Sequence, residues 1–203
     1  LSTLETAPAP QDIFNAAAAA WNTEVEKSFI YSSNTANTTA YVGDFAPTPV
    51  DQGQTFTLTN VVDNFTGTGG NDTFTGGSAQ IQAADTINGG GGTDTAKLYL
   101  DAGNAGLNAA AVEIFQIQAS GGARAFNATN VAGAEQIWSA GSTSALTING
   151  LKNNVTLGLD KTQSDLLANF VAGTIGAAET LKLATDSSGT AAGRVTVTVD
   201  DGG

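Results

Sequence analysis

The chain has 203 residues, 19 acidic and 7 basic, for a net charge of −12, and it holds no cysteine, histidine or methionine. That set excludes disulfide scaffolds, thiolate or imidazole metal sites and catalysis by Ser–His or Cys–His pairs, so a metal would be held by oxygen. Seven cations against 19 acids also argue against nucleic acid and against insertion into, or docking on, an anionic membrane.

Residues 1–10 read as a flexible lead, with Pro8 and Pro10 among Ala and Thr. Asp12 is an N-cap candidate for a helix over residues 13–27. The alanines at 16–20 favour it, and Phe14, Ala17, Trp21 and Val25 follow helical spacing. The expected role is a cap on the open end of the fold that follows. No apolar run approaches the roughly 18 residues of a membrane span. The first ten residues lack a basic region followed by an apolar core, so they are not a signal peptide. Without an initiating Met, and stopping at VTVTVDDGG, the sequence reads as a fragment whose export signal lies elsewhere. Residues 31–55 read as extended linker, which closes an N-terminal region of 1–55.

Strand alternation begins at Phe56 and Leu58, and residues 63–94 then carry the strongest pattern in the chain. Asp63, Asp72, Asp85 and Asp94 each open an Asp-x-apolar piece, completed by Phe65, Phe74, Ile87 and Ala96. Glycines precede the second aspartate of each pair: Gly67, Gly69 and Gly70 before Asp72, and Gly89, Gly90, Gly91 and Gly92 before Asp94. This is the nonapeptide Gly-Gly-x-Gly-x-Asp-x-apolar-x of a parallel β-roll. Its chemistry suits Ca2+, which takes six to eight oxygens at about 2.3–2.6 Å. Glycine lets the chain bend and turn its carbonyls toward an ion, and aspartate adds charge. The candidate ligands are Asp63, Gly67, Gly70, Asp72, Asp85, Gly89, Gly90, Gly92 and Asp94.

These motifs resemble the repeats-in-toxin (RTX) calcium-binding family. More narrowly, FTLTNVVDNFTGTGGNDTF and, after a spacer, DTINGGGGTDTAKLYL are similar to the RTX-type surface-layer proteins of Gram-negative bacteria. There are departures. Thr68 replaces the second glycine, the half-repeat QIQAA before Asp85 has none, and Ala96 is small for an inward position. Sites around Asp72 and Asp94 are therefore favoured over four equal ones. The resemblance implies a secreted protein at the bacterial cell surface, which folds and self-associates into a lattice with calcium. A calcium-dependent adhesin or biofilm protein, and the non-catalytic RTX domain of a secreted hydrolase or toxin, stay open as alternatives.

Beyond residue 100 the glycine nonapeptides stop and a longer period takes over. VEIFQIQAS, AEQIWSAGS and AETLKLATD align through Glu113, Glu135 and Glu179, which places Phe115, Ile137 and Leu181 at equivalent positions. Short alternating pieces lie between them. A period of about 20–22 residues with two or three strands per turn indicates a parallel β-solenoid. Surface-layer proteins of this type show similar trailing coils. Asn127, Asn130, Asn149 and Asn154 are turn or Asn-ladder candidates. Residues 164–170 read as a short helix capped by Ser164, and 194–199 as a strand.

The three glutamates read as solvent-facing starts of strands. Trp21 and Trp138 could stack on sugar rings, which makes a cell-surface polysaccharide a second candidate partner. Asp160, Asp165 and Asp186 are scattered, so no carboxylate pair marks a glycosidase. The expectation is thus an all-β, non-enzymatic protein: a calcium-binding parallel β-roll over 56–100, continuing into a right-handed parallel β-solenoid over 101–203, with a short N-terminal helix.

Overall fold

Proline at a first helical position costs no hydrogen bond, and α1 (Pro10–Ser33) starts there. Asp12 therefore lies in the first turn and not at the cap. The helix also runs six residues past Lys27. Serine hydroxyls inside it bond back one turn, Ser32 Oγ to Ser28 O at 2.7 Å and Ser33 Oγ to Phe29 O at 2.6 Å. These polar residues read as linker because Ser competes with helix when its hydroxyl bonds elsewhere. Trp21 and Val25, expected in an apolar stripe, are 61% and 51% exposed. The computed structural model describes residues 10–37, 51–176, 180–189 and 195–200; the lead at 1–9, most of the expected linker, Glu179 and Arg194 lie outside that set, as do the side chains of Phe14 and Ala17. The helix belongs to one compact unit, Leu1–Val50, and the strands to another, Asp51–Gly203.

The second unit is a parallel β-solenoid. Its first two coils hold two strands each: β1 (Thr55–Thr57) and β2 (Asn64–Thr66), then β3 (Thr73–Gly77) and β4 (Thr86–Asn88). The third has three: β5 (Thr95–Leu100), β6 (Ala105–Gly106) and β7 (Asn108–Ala110). Pairs follow: β8 (Ile114–Ala119) with β9 (Arg124–Asn127), β10 (Gln136–Ala140) with β11 (Leu146–Leu151), and β12 (Thr156–Asp160) with β13 (Leu166–Phe170). The last are β14 (Leu183–Asp186) and β15 (Val197–Asp200).

Three parallel sheets run along the stack. A long sheet orders β1-β3-β5-β8-β10-β12-β14, a second orders β15-β13-β11-β9-β6, and a short one orders β2-β4-β7. The long sheet passes residue 100 without a break, since β5 pairs with β8 from Thr95↔Ile114 to Leu100↔Ala119. The coils that resemble a β-roll and those of the plainer solenoid are therefore one stack.

Alternation fills its interior. Phe74, Ala96, Phe115, Ile137 and Leu157 succeed one another in register, all essentially without solvent exposure. Ala96 is explained here: it stands between two phenylalanines, where a larger side chain would overpack. From the second sheet come Phe126, Ile148 and Ala168. Phe115 and Phe126 meet across the core with ring centroids 6.0 Å apart.

Two sequence readings are corrected. Residues 164–170 are not a helix; Leu166, Ala168 and Phe170 alternate inward as β13. The third coil marker is Leu183, not Leu181: Ile137 pairs with Leu157, and Leu157 with Leu183. Coil length is uneven, with neighbours 20 residues apart at Asn149–Asn169 and 26 apart at Thr162–Ser188, so a fixed 22-residue period slips.

Candidate metal centre

The stack sorts the four aspartates into two pairs. Asp63 and Asp85 precede β2 and β4 of the short sheet, while Asp72 and Asp94 precede β3 and β5 of the long one. All four carboxylates are buried, Asp85 and Asp94 completely. The apolar residue two positions on points inward in each case: Phe74, Ile87 and Ala96 have no exposed surface, and Phe65 packs at the edge of the core.

A ladder of backbone N–H groups satisfies most of this buried charge. Asp63 N donates to Asp85 Oδ1 at 2.9 Å, and Asp72 N donates to Asp94 Oδ1 at 2.7 Å. Asp94 N in turn donates to Glu113 Oε2 at 2.8 Å. Glu113 is thus half-buried in the same column as Asp72 and Asp94, against the expectation of a solvent-facing residue; Glu135 is exposed as expected. Each pair spans 22 residues, one coil.

The second oxygen of each carboxylate distinguishes the sites. Asp63 accepts from Thr59 N at 2.6 Å and from the Thr59 hydroxyl at 3.0 Å. Asp72 accepts from Thr68 N and from its hydroxyl. Thr68, the departure from the glycine pattern, therefore supplies an extra donor. Asp85 Oδ2 accepts from Gln82 N at 2.7 Å, inside the half-repeat that lacks glycine. Asp94 Oδ2 is buried and accepts no hydrogen bond from any described residue.

The glycines press on these same oxygens. A Cβ on Gly89 would collide with Asp94 Oδ2 and the Ala111 carbonyl oxygen, and one on Gly67 with Asp72 Oδ2 and the Gly89 carbonyl oxygen. Gly90 and Gly92 have φ of 92° and 101°, a region that disfavours side chains. Gly92 stacks on Gly70 of the preceding coil, and Gly90 on the Thr68 carbonyl. Sequence reasoning missed the coil before these. Asp51 Oδ2 accepts from Gly69 N, and the Asp51 carbonyl lies against Gly70, although residues up to 55 had read as linker. A single Asp51-x-Gly53 was the available signal.

Burial holds the Asp94 carboxyl above its ordinary 3.8; the Asp72 N–H opposes that shift, and the charges of Glu113 and Asp72 add to it. Among the described residues no three acidic groups converge closely enough to hold a metal by themselves. An ion at this corner would need backbone carbonyls as well. The site meets that need: the unpartnered buried Asp94 Oδ2 and the Ala111 carbonyl oxygen both lie against Gly89, with no nitrogen or sulfur ligand, and Asp72 Oδ2 and the Gly89 carbonyl oxygen lie the same way against Gly67 one coil earlier. This all-oxygen set fits a hard cation such as Ca2+ at Asp94. At Asp63 and Asp85 every oxygen is already matched to a donor.

The remaining candidates resolve into structural roles. Asn130 donates to Asn108 at 2.9 Å and Asn169 to Asn149 at 2.7 Å, two rungs of asparagine ladder. Asn127 Oδ1 caps Thr129 N at 3.0 Å, and Asn154 reaches Thr180 O at 3.4 Å. No described helix is long and apolar enough to cross a membrane. Comparison of the chain with family models, with curated proteins and with solved structures gave no match. The class that the fold itself defines is the parallel β-solenoid.

Proposed function

We propose that the chain is a structural, non-catalytic part of a secreted bacterial cell-surface layer, of the RTX surface-layer kind that its sequence resembles, and that it folds with calcium and self-associates into a lattice. One observation carries the calcium part. Asp94 buries a carboxylate oxygen with no donor, beside glycines whose missing side chains leave room for close approach by carbonyls. Leaving such a group unmatched costs about 1–3 kcal/mol or more for a charged oxygen.

Bound calcium would supply positive charge and oxygen coordination at that corner. The residues that would hold it are Asp94 and the Ala111 carbonyl at Gly89, with Asp72 and the Gly89 carbonyl in the same arrangement at Gly67 one coil earlier. The protein's own part is to stack the loops. Asp72 N and Asp94 N fix the carboxylates, Thr68 orients Asp72, and Gly67 and Gly89 keep the gap open. Because coordination joins successive coils, binding is linked to folding, and extracellular calcium near millimolar drives both.

The test is a calcium titration of the metal-stripped chain, followed by circular dichroism and light scattering. Strand signal should rise between micromolar and millimolar calcium, and Asp94→Ala should abolish the rise while Asp63→Ala leaves it. Scattering that grows with the strand signal supports lattice assembly; scattering that stays flat at high concentration ends it. A spectrum unchanged between chelator and calcium would mean that the loops are turns and nothing more.

A further inference from the structure

The outer face of the long sheet differs from the rest of this surface. One outward column runs Thr75, Lys97, Gln116, Trp138 and Gly158 across β3, β5, β8, β10 and β12. Beside it stand Tyr99 and Gln118, in register on β5 and β8, and Asp160 at the end of β12. Between the columns lies a cleft of ≈ 240 Å³ lined by Lys97, Tyr99, Gln116, Gln118, Asp160 and Lys161.

Trp138 is a flat platform in this face. A Cβ on Gly158 would collide with the Cδ2, Cε2 and Cε3 atoms of the indole, so the ring rests on the glycine of the next coil. Its Nε1 donates to Gln136 Oε1 at 3.0 Å, which fixes the ring's rotation. Trp138 is half-buried, with one ring face resting on Gly158, so part of the indole meets solvent. Tyr99 is 47% exposed.

The polar groups around the aromatics leave unused capacity. Gln118 Nε2 is tied to Gly141 O at 3.0 Å, which leaves its Oε1 as an acceptor. Asp160 Oδ1 is buried and pairs with the Lys161 ammonium at 3.5 Å, while the side chain as a whole is 32% exposed, which leaves Oδ2 as the oxygen a ligand would meet. Lys97 has no ion-pair partner among the described residues. Two of seven basic residues thus meet in one cleft of a chain whose net charge is −12.

We infer that this face binds an acidic polysaccharide, with a pyranose ring on Trp138, hydroxyls on Gln118 and Asp160, and a sugar carboxylate on Lys97. Rigid aromatic faces and planar amides suit apolar C–H faces ringed by hydroxyls. Coils repeat every 4.8 Å or so along the face, close to the length of one pyranose, so a glycan laid across the strands meets one coil per sugar. The Lys97 ammonium distinguishes an acidic from a neutral chain. The site lies on a sheet face and involves none of the calcium loops, so it stands or falls apart from the calcium reading.

The test uses the full chain with Trp21→Phe, which leaves Trp138 as the one tryptophan. Its emission is titrated with hexagalacturonate and with a mannuronate hexamer, and with maltohexaose and cellohexaose as neutral probes. An acidic hexamer should shift the emission and saturate below millimolar, with neutral hexamers about tenfold weaker or more. Lys97→Gln should erase that preference. Calorimetry on Trp138→Ala should show binding weakened at least about tenfold. Gly158→Ala, which lifts the ring while keeping it, should weaken binding as well. Circular dichroism checks that each variant keeps its strand content; Lys97→Gln touches no core residue and stands as the decisive variant if the others unfold. No saturation by either acidic hexamer, equal affinity for neutral ones, or binding unmoved by Lys97→Gln would overturn the inference.

Discussion

Asp94 concentrates the chemistry of the proposed calcium corner in one side chain. Its raised carboxyl holds a proton more tightly in the folded than in the unfolded state. That contribution is complete below the unfolded value and is lost as pH rises through the folded one. In chelator, the folded chain should therefore lose stability as pH climbs above 3.8, and Asp94→Asn should remove that part of the slope. Thermal melts of both proteins from pH 3 to pH 7 (about the range over which carboxyls titrate) check it; parallel slopes would place the unmatched charge elsewhere. Gly89→Ala should act differently. Its methyl displaces Asp94 Oδ2 and the Ala111 carbonyl, at about 1–3 kcal/mol for overpacking. Calcium should then fail to restore stability, as melts with and without the ion would show. The aspartates and glycines were legible because a nine-residue spacing repeats. Glu113 was not, because its role depends on which backbone N–H stacks beneath it, and coil register decides that.

Strands were legible where alternation was long and illegible where composition pointed the other way. Residues 164–170 carry two leucines, an alanine and a preceding serine, which suits a helix locally. The stack overrides that preference, because Leu146 and Ile148 offer Leu166 and Ala168 a buried, paired place. Coil markers slipped for a related reason. The insertion between β13 and β14 lengthens one coil, and Leu181 sits two residues before the strand position that Leu183 fills. In α1 the serine hydroxyls turned back onto the helix, so the element outran its expected end. Packing sets the energetic scale of each coil. Phe115→Ala should cost about 3–5 kcal/mol, since the side chain is fully buried between Ala96 and Ile137 and against Phe126. Denaturant unfolding measures it, and a loss below about 1 kcal/mol would mean that the neighbouring coils collapse into the gap.

Stacked coils contact their neighbours and little else, so stability along the solenoid is a chain of local terms. The proposed calcium corner belongs to the early coils, before the strands of the long sheet, and the later coils bury Ser and Thr at the other ends of those strands. Ser139, Ser142 and Thr162 are buried there, with Ser139 and Ser142 hydroxyls 2.9 Å apart and Thr162 Oγ1 donating to Ser142 O at 3.1 Å. On that proposal, removing calcium should expose β1 to β4 to hydrogen exchange while β8 to β13 stay protected. Uniform loss of protection would show that the stack opens as one unit. The stacked architecture and the end of the Asp-Gly loops near residue 100 were legible from spacing; the buried Ser139, Ser142 and Thr162 were not, because lone hydroxyl residues carry no repeating motif.

The N–H ladder also gives the stack a direction. In each pair the donor lies on the earlier coil and the acceptor on the later: Asp63 to Asp85, Asp72 to Asp94, Asp94 to Glu113. In the Asp63 to Glu113 column a coil thus has two unlike faces, one offering carboxylate oxygens and the other N–H groups, although Asp51 Oδ2 accepts in the opposite sense from Gly69 N. Acid or a divalent cation alters the first and leaves the second untouched. At that column, a stack growing toward its earlier coils adds onto carboxylate oxygens, whereas growth toward later coils adds onto N–H groups, and the two directions therefore answer differently to the medium.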